Sequence, residues 1–422
     1  MLSCLQLIIH WGVSEMRLDL GPELEVFRDE LRAWIEDNRL DGLEDLDERA
    51  VYFAGAGLSE RAADAYRAWS ERLLESRLIC PQWPEEVGGR GLTGLHMAIV
   101  NEEFHRARVP RVSRGMGESL VGPSVIVHGT EEQKAHFLAR IISGQDRYCQ
   151  GFSEPDHGSD LAGVETRGVV DGDEIVITGQ KVWTSGAHLA NWLFVLCRTD
   201  PDVPKHQGLS YVLVPMKENG IEIRPLRQAT GASGFSQEYI SGARAPLFNV
   251  IGGLNNGWRV AMTTLGNERG GQATTQHLRY EREFCDLVDE ARKRGRTDDP
   301  VVRQKLAWAF SDVEIMRYQG LRLLSTLAAQ REPGPGASVA KLFWSEYHKR
   351  LGEIAMGVLG AEGMLAGADS SGDGYRPGRW QSTFIASRAG TIFSGTSQIQ
   401  RNIIGERVLG LPKEPSTGGN DT

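Results

Sequence analysis

The stretch DGDEIVITGQKVWTSG, residues 171–186, decides how this chain divides. It opens on a turn signal, Asp171-Gly172-Asp173, and runs on into β-branched residues, Gly179 and a second extended run. NWLFVLCRT, LSYVLVP and IEIRPL follow at strand length, separated by Pro, Gly and Asp clusters. Together they predict a compact antiparallel β unit over residues 148–250. On both sides of it the periodicity is helical. Upstream, Leu24, Phe27, Leu31, Trp34 and Ile35 form a half-buried stripe, and residues 64–78 repeat the theme. A Pro/Gly-rich loop over residues 81–94 separates these from further helices, one with Thr130 as its N-cap. Downstream, helical spacing returns from Trp258. Tyr280, Phe284, Leu287 and Ala291 mark one face, and Val302, Leu306, Ala309, Phe310 and Val313 continue it. A further helix runs from Ala337 past Leu359, and a last one from Ser397 to Leu409. Four long helices predict a bundle.

The fold class is therefore α+β and multidomain. A helical domain spans residues 17–147, a β domain 148–250 and a helical bundle 251–412. Residues 1–16 read as an over-extended or disordered start, and 413–422 as a flexible tail. The 422 residues suit roughly three packing units. A formal net charge of −9 without a long Lys/Arg block argues against nucleic acid, whose binding needs concentrated positive charge. The five cysteines are scattered, with no C-x-x-C pair, as expected of reduced thiols in a cytoplasmic protein. The apolar run near the start is too short to span a bilayer and lacks a basic leader, so no membrane association is expected.

YCQGFSEPDHGSDLAG, residues 148–163, is the most specific motif. Taken alone, SEPDHGSD is a surface loop turned by Pro155 and Gly158. With GQKVWTSGAHLANW, residues 179–192, and TIFSGTSQIQRNIIGERVLGLP, residues 391–412, it resembles the acyl-CoA dehydrogenase family over about residues 20–412. The helix–β–bundle order matches that architecture. The resemblance implies FAD, an amphipathic ring system that needs an apolar wall and hydrogen bonds at its edge. It assigns the wall to Trp183, a backbone contact to Thr184 and a hydroxyl near flavin N5 to Ser185. Gln150, Phe152 and Ser153 line the other side, and Ser159 and Gly395 belong to the thioester site. Thr396 and Gln398, at a helix start, fall to the dinucleotide; a helix N-terminus with free N–H groups suits phosphate, although such starts are also common as plain caps. Trp183 by itself reads as an ordinary strand tryptophan, and its neighbours in the motif turn the reading to the flavin wall.

The chain departs from the family in three places. The R-x-Q-F-G string that reaches FAD across a subunit interface is replaced by ARKRGRTDDPVVRQKLA, which keeps only arginines such as Arg294 or Arg296 for the pyrophosphate. GVLGAEGM, residues 357–364, lacks the glutamine that precedes the family's turn. Where many members carry a glutamate before the Gly-Thr pair, this chain has Ser394, which is no base near neutral pH.

TTLGNERGGQATTQ, residues 263–276, offers a replacement. Extending the face of Ala261 and Leu265 by three and four residues reaches Glu268 and Gln272. Glycines 266, 270 and 271 would let a ligand approach. Isovaleryl-CoA-type members place their catalytic glutamate on this helix, and Glu268-Arg269 matches that position, with Arg269 beside the substrate. The bare pattern also fits a solvated helix face. The implied reaction is α,β-dehydrogenation of an acyl-CoA, with Glu268 as base and an electron-transfer flavoprotein as electron acceptor. A homodimer or homotetramer is expected. A non-catalytic partner subunit of a heteromeric enzyme is the alternative, and a DNA-associated relative fits the charge poorly. No G-x-G-x-x-G after a strand, GK[ST] loop, H-E-x-x-H or G-x-S-x-G occurs, which excludes the commonest nicotinamide, NTPase, zinc and serine-hydrolase readings.

Overall fold

A computed structural model of the protein describes residues 21–43, 58–270, 274–328, 336–365 and 377–413, with the side chains of 268–270 and 327–328 outside that description. The sequence readings of residues 1–16 and of most of the tail lie outside it. The chain forms two compact units, one of residues 31–271 and one of residues 272–422 with 1–30.

The first unit begins with helices α1 (Pro22–Asn38, from Leu31 on), α2 (Glu60–Glu75), α3 (Gly94–Ala107), α4 (Gly122–His128) and α5 (Glu131–Ser143). In α1 the stripe buries Leu31 and Ile35, and Trp34 packs on Trp69 of α2 with ring centroids 5.6 Å apart. Thr130 caps α5 in a reciprocal box with Gln133, which satisfies two N–H groups that the first turn leaves open.

Eight strands follow: β1 (Tyr148–Gly151), β2 (Arg167–Asp171), β3 (Glu174–Ser185), β4 (Trp192–Arg198), β5 (Leu209–Pro215), β6 (Ile221–Leu226), β7 (Phe235–Pro246) and β8 (Val250–Ile251). They form one sheet in the order β6-β7-β3-β2-β4-β5-β8, with β1 paired to β4. The Gly172 turn closes the β2–β3 hairpin as its signal predicts, with Asp171 opposite Glu174 and Gly172 at φ +65°. The sheet is not wholly antiparallel, which corrects the expectation. β1 runs parallel to β4, Tyr148 beside Trp192, and β2 meets β4 parallel at Arg167 and Arg198. Alternation shows that a segment is a strand; the partner of β1 lies beyond a whole hairpin, and no local pattern encodes that. Ile175, Ile177, Leu193, Val195, Val212 and Val214 fill the core beneath the sheet.

Helix α6 (Gly257–Gly270) returns from the sheet and is fastened to α4 by two hydroxyl contacts. Ser124 Oγ and Thr264 Oγ1 lie 2.7 Å apart, and His128 Nε2 and Thr263 Oγ1 lie 2.8 Å apart.

The second unit packs α7 (Gln276–Lys293), α8 (Pro300–Ala328), α9 (Gly336–Leu359) and α10 (Arg379–Gly390) around Tyr280, Leu287, Val313, Tyr347 and Leu351. The bundle is there, but its fourth helix is α10 and not the segment from Ser397. That segment makes only α11 (Ser397–Ile403), followed by a wider π turn through Val408. Helix α10 shows no apolar stripe because it buries small and polar residues, Gln381, Ser387 and Gly390 among them. Gly352 of α9 lets the Phe384 backbone approach so closely that a Cβ there would lie 2.8 Å from Phe384 Cα.

Candidate flavin site on the sheet

Two segments far apart in sequence lie side by side. Val182 N–H donates to Ser153 O at 2.9 Å, Thr184 Oγ1 donates to Gln150 O at 3.1 Å, and Lys181 Nζ donates to Phe152 O at 3.1 Å. Residues 150–154 and 181–185 therefore form one platform. A β-bulge interrupts the β3–β7 ladder between Lys181 and Thr184, and within it Trp183 adopts φ +63°. A bulge re-aims the side chain of its extra residue, and here it turns Trp183 outward with 61% of its surface bare. A bulky residue in the left-handed region costs on the order of 1–3 kcal/mol, and such strain concentrates at ligand sites.

Below the platform lies a buried ion pair that sequence reasoning missed. Lys181, fully buried, donates to Glu154 Oε1 and to Leu196 O, both at 2.8 Å, as well as to Phe152 O. Glu154 also accepts from the amides of Glu165 and Thr166, at 2.7 and 2.9 Å. Burial lowers the Lys181 pKa, and Glu154 only partly offsets it. Burial would raise the Glu154 carboxyl, but Lys181 and the Glu165 amide outweigh it and hold the group ionised. Reciprocal backbone bonds between Glu154 and His157, 3.0 and 3.1 Å long, close the Pro155 turn. The available signal was Lys181 itself, a charge at an inward strand position.

Glu238 on β7 is the second buried carboxyl, also missed. It accepts a hydrogen bond from the Thr184 hydroxyl through Oε2, and Oε1 has no partner among the described residues. Burial pushes its pKa up to about 8, against the partial pull of Thr184 and Lys181.

Phe152 turns inward, edge-on to Phe194 and Tyr211, so only its backbone can serve the platform. Gln150, Ser153 and Ser185 have half-buried side chains with no hydrogen-bond partner among the described residues. Ser159 is exposed on the following loop. Glu268 and Arg269 belong to the last turn of α6, and their side chains lie outside the described residues.

The other candidates lie in the second unit. Thr396 caps α11 by accepting from Ile399 N–H at 3.2 Å, and Gln398 is exposed. Gly395 stands at φ +89°, where a Cβ would meet Gln400 Nε2 at 2.5 Å. Its carbonyl accepts from the Lys341 ammonium at 2.6 Å. Arg294 is held by Glu290 at 2.6 Å and by Glu362.

The platform fits an isoalloxazine ring: a bare indole offers a wall, and unpartnered hydroxyl and amide groups stand at its margin. This is the arrangement of a flavoprotein built on a sheet. Family models for the N-terminal, middle and C-terminal domains of acyl-CoA dehydrogenases match residues 21–145, 149–244 and 255–409. Acyl-CoA dehydrogenase IpdE1 of Mycobacterium tuberculosis is 43% identical over 398 residues, covering 93% of this chain and 99% of that protein. The solved Tcur3481-Tcur3483 steroid ACAD has a TM-score of 0.76 at 32% identity, over 94% of this chain and 100% of that one. The ChsE4-ChsE5 complex from Mycobacterium tuberculosis has a TM-score of 0.72 at 28% identity, over 94% and 100%. The chain belongs to the acyl-CoA dehydrogenase family. It is an oxidoreductase and a flavoprotein whose cofactor is FAD.

Among the described residues no helix is long and apolar enough to cross a membrane, and no cluster of three His, Cys, Asp or Glu could hold a metal ion.

Proposed function

We propose that the protein catalyses α,β-dehydrogenation of an acyl-CoA to the trans-2-enoyl thioester, with Glu268 as base. The observation that carries this reading is Trp183, strained and bare beside Ser185 on the platform. Trp183 supplies the apolar wall, while Thr184, Gln150, Ser153 and the Phe152 backbone hold the ring edge. Ser185 offers its hydroxyl at the hydride-accepting atom. When bound, FAD supplies the acceptor for hydride from the substrate's Cβ. Thr396 and Gln398 are contacts for the dinucleotide on their own unit.

Glu268 takes the Cα proton and becomes a neutral carboxylic acid, which a water-excluded site favours. The reading is supported by Thr264, fully buried four residues earlier on α6, because residues four apart share one face of a helix. Arg269 and Ser159 orient the thioester. Electrons leave to an electron-transfer flavoprotein. Glu268→Gln keeps the yellow colour, and the rate of anaerobic bleaching by acyl-CoA falls by at least about a hundredfold, since a positioned base contributes roughly 10²–10⁴. Bleaching that survives the substitution removes Glu268 from the role.

A second reading has its own support. Arg294, an arginine available for the pyrophosphate, is committed to Glu290 and Glu362 of its own chain. The Tcur3481-Tcur3483 steroid ACAD and the ChsE4-ChsE5 complex, to which the chain is similar, are each named for two different chains. In this reading the chain is one subunit of a heteromer and shares an FAD site with its partner. Protein that purifies colourless alone and turns yellow only when expressed with a partner supports it; a yellow, active homo-oligomer excludes it.

A further inference from the structure

A cleft in the first unit adjoins the platform and is lined by Tyr66, Ser113, Arg114, Arg147, Tyr148 and Ser185, among others. Its acidic lining residue, Asp146, and Glu118 close behind Ser113 and Arg114 are already committed. Asp146 is held in a two-point pair by Arg140, at 2.7 and 2.9 Å. Glu118 accepts from Ser113 Oγ at 3.1 Å, from the Arg114 amide at 2.9 Å and from Arg111.

Its donors are in surplus. Arg114 spends one guanidinium N–H, from Nε, on Ile142 O at 2.8 Å. Arg147 uses only its backbone, whose N–H donates to Asn191. Neither guanidinium has an ion-pair partner among the described residues. The Tyr66 hydroxyl is buried, with the residue 7% exposed, and it also lacks a partner. The fields of Arg114 and Arg147 both reach it. The placement is built in: Gly144, at φ +78°, leaves room for the guanidinium, since a Cβ there would lie 3.2 Å from Arg114 Cζ.

Two guanidinium groups, which can only donate, beside an unpartnered phenol that can donate as well favour an oxygen rich in acceptor capacity. Because Ser185 belongs both to the platform and to the cleft wall, the cleft adjoins the place where an acyl chain would meet the flavin. We propose that the cleft binds an acceptor-only oxygen group, a carboxylate or a ketone, carried on the distal part of the acyl chain. The inference rests on the acyl-CoA reading above and names the class of substrate within it.

The test is calorimetric and needs no turnover. The purified flavoprotein is titrated with redox-inert thioether analogues of acyl-CoA in three chain-matched forms, ending in a carboxylate, a ketone or a methyl group. At least one of the two oxygenated forms binds about tenfold or more tighter than the methyl form. Arg114→Gln and Arg147→Gln each erase most of that advantage and leave the methyl form unchanged, while Arg114→Lys keeps part of it. Equal affinities for the three forms in the wild-type protein overturn the proposal without depending on any variant. Variants that weaken all three forms equally also overturn it, as does inorganic phosphate that competes equally with all three, because the cleft then serves the CoA end. If the methyl form binds and its thioester bleaches the flavin without any preference, only this inference fails. If no form binds, the acyl-CoA reading fails with it.

Discussion

Trp183 on β3 and Glu238 on β7 stand at the bulge between those two strands, and each holds a state that its surroundings impose. Trp183 keeps a left-handed backbone and a bare ring, neither of which an isolated strand would choose. Glu238 keeps a proton that an exposed carboxyl would lose. Its folded pKa, about 8, lies above the ordinary solvated value of 4.5, so between those values the folded state binds more protons than the unfolded state. Stability from this group is therefore fully present below pH 4.5 and declines as pH rises toward 8. Glu238→Gln removes that slope. Thermal unfolding of wild type and variant should coincide near pH 5, and the variant should be more stable by at least about 1 kcal/mol near pH 8. Parallel curves across this range would show that Glu238 does not titrate there.

Among the elements, the platform depends on how β1 and β3 are joined from beneath. The sheet ladder does not pair these strands directly; the cross-links come from the Lys181 ammonium, the Thr184 hydroxyl and the Val182 amide. Lys181→Met keeps the apolar stem but leaves Glu154 buried without its cation. Breaking a buried pair from one side costs about 3–5 kcal/mol. Urea unfolding should show a loss of that size, and the variant should release FAD more readily because residues 150–154 lose their anchor. A loss below about 1 kcal/mol would mean that water replaces the ammonium and that the pair is incidental. Helix α10 makes a related point about elements: two polar, small-residue faces can pack tightly where a glycine on the neighbouring helix admits the backbone.

For the molecule as a whole, the long helix α8 presents an uncovered line. Val301, Trp308 and Ile315 recur every seven residues, all exposed, with Trp308 62% bare and Tyr318 continuing the line. Seven-residue spacing keeps one helical face in register, and a bare apolar line of this length marks a surface that another chain covers. We expect Trp308→Glu to shift the protein to a smaller species in light scattering while its helical content stays unchanged. An unaltered mass would place assembly on another face. The same measurement on protein co-expressed with a candidate partner chain separates self-association from pairing with a different chain.

What the sequence determined by itself is what short-range chemistry can specify. The α1 stripe, the Thr130 cap, the Gly172 hairpin and the faces of α7 and α8 follow from residues within a few positions of one another. So does the family, because its motifs are contiguous strings. What only the tertiary structure decided depends on residues far apart along the chain. Examples are the parallel β1–β4 pairing, the bulge that bares Trp183, the burial of Lys181 with Glu154, the half-satisfied carboxyl of Glu238 and the packing of α10 on Gly352. Each is settled by burial and by which partner happens to be within hydrogen-bond reach, and neither quantity exists until the chain has folded.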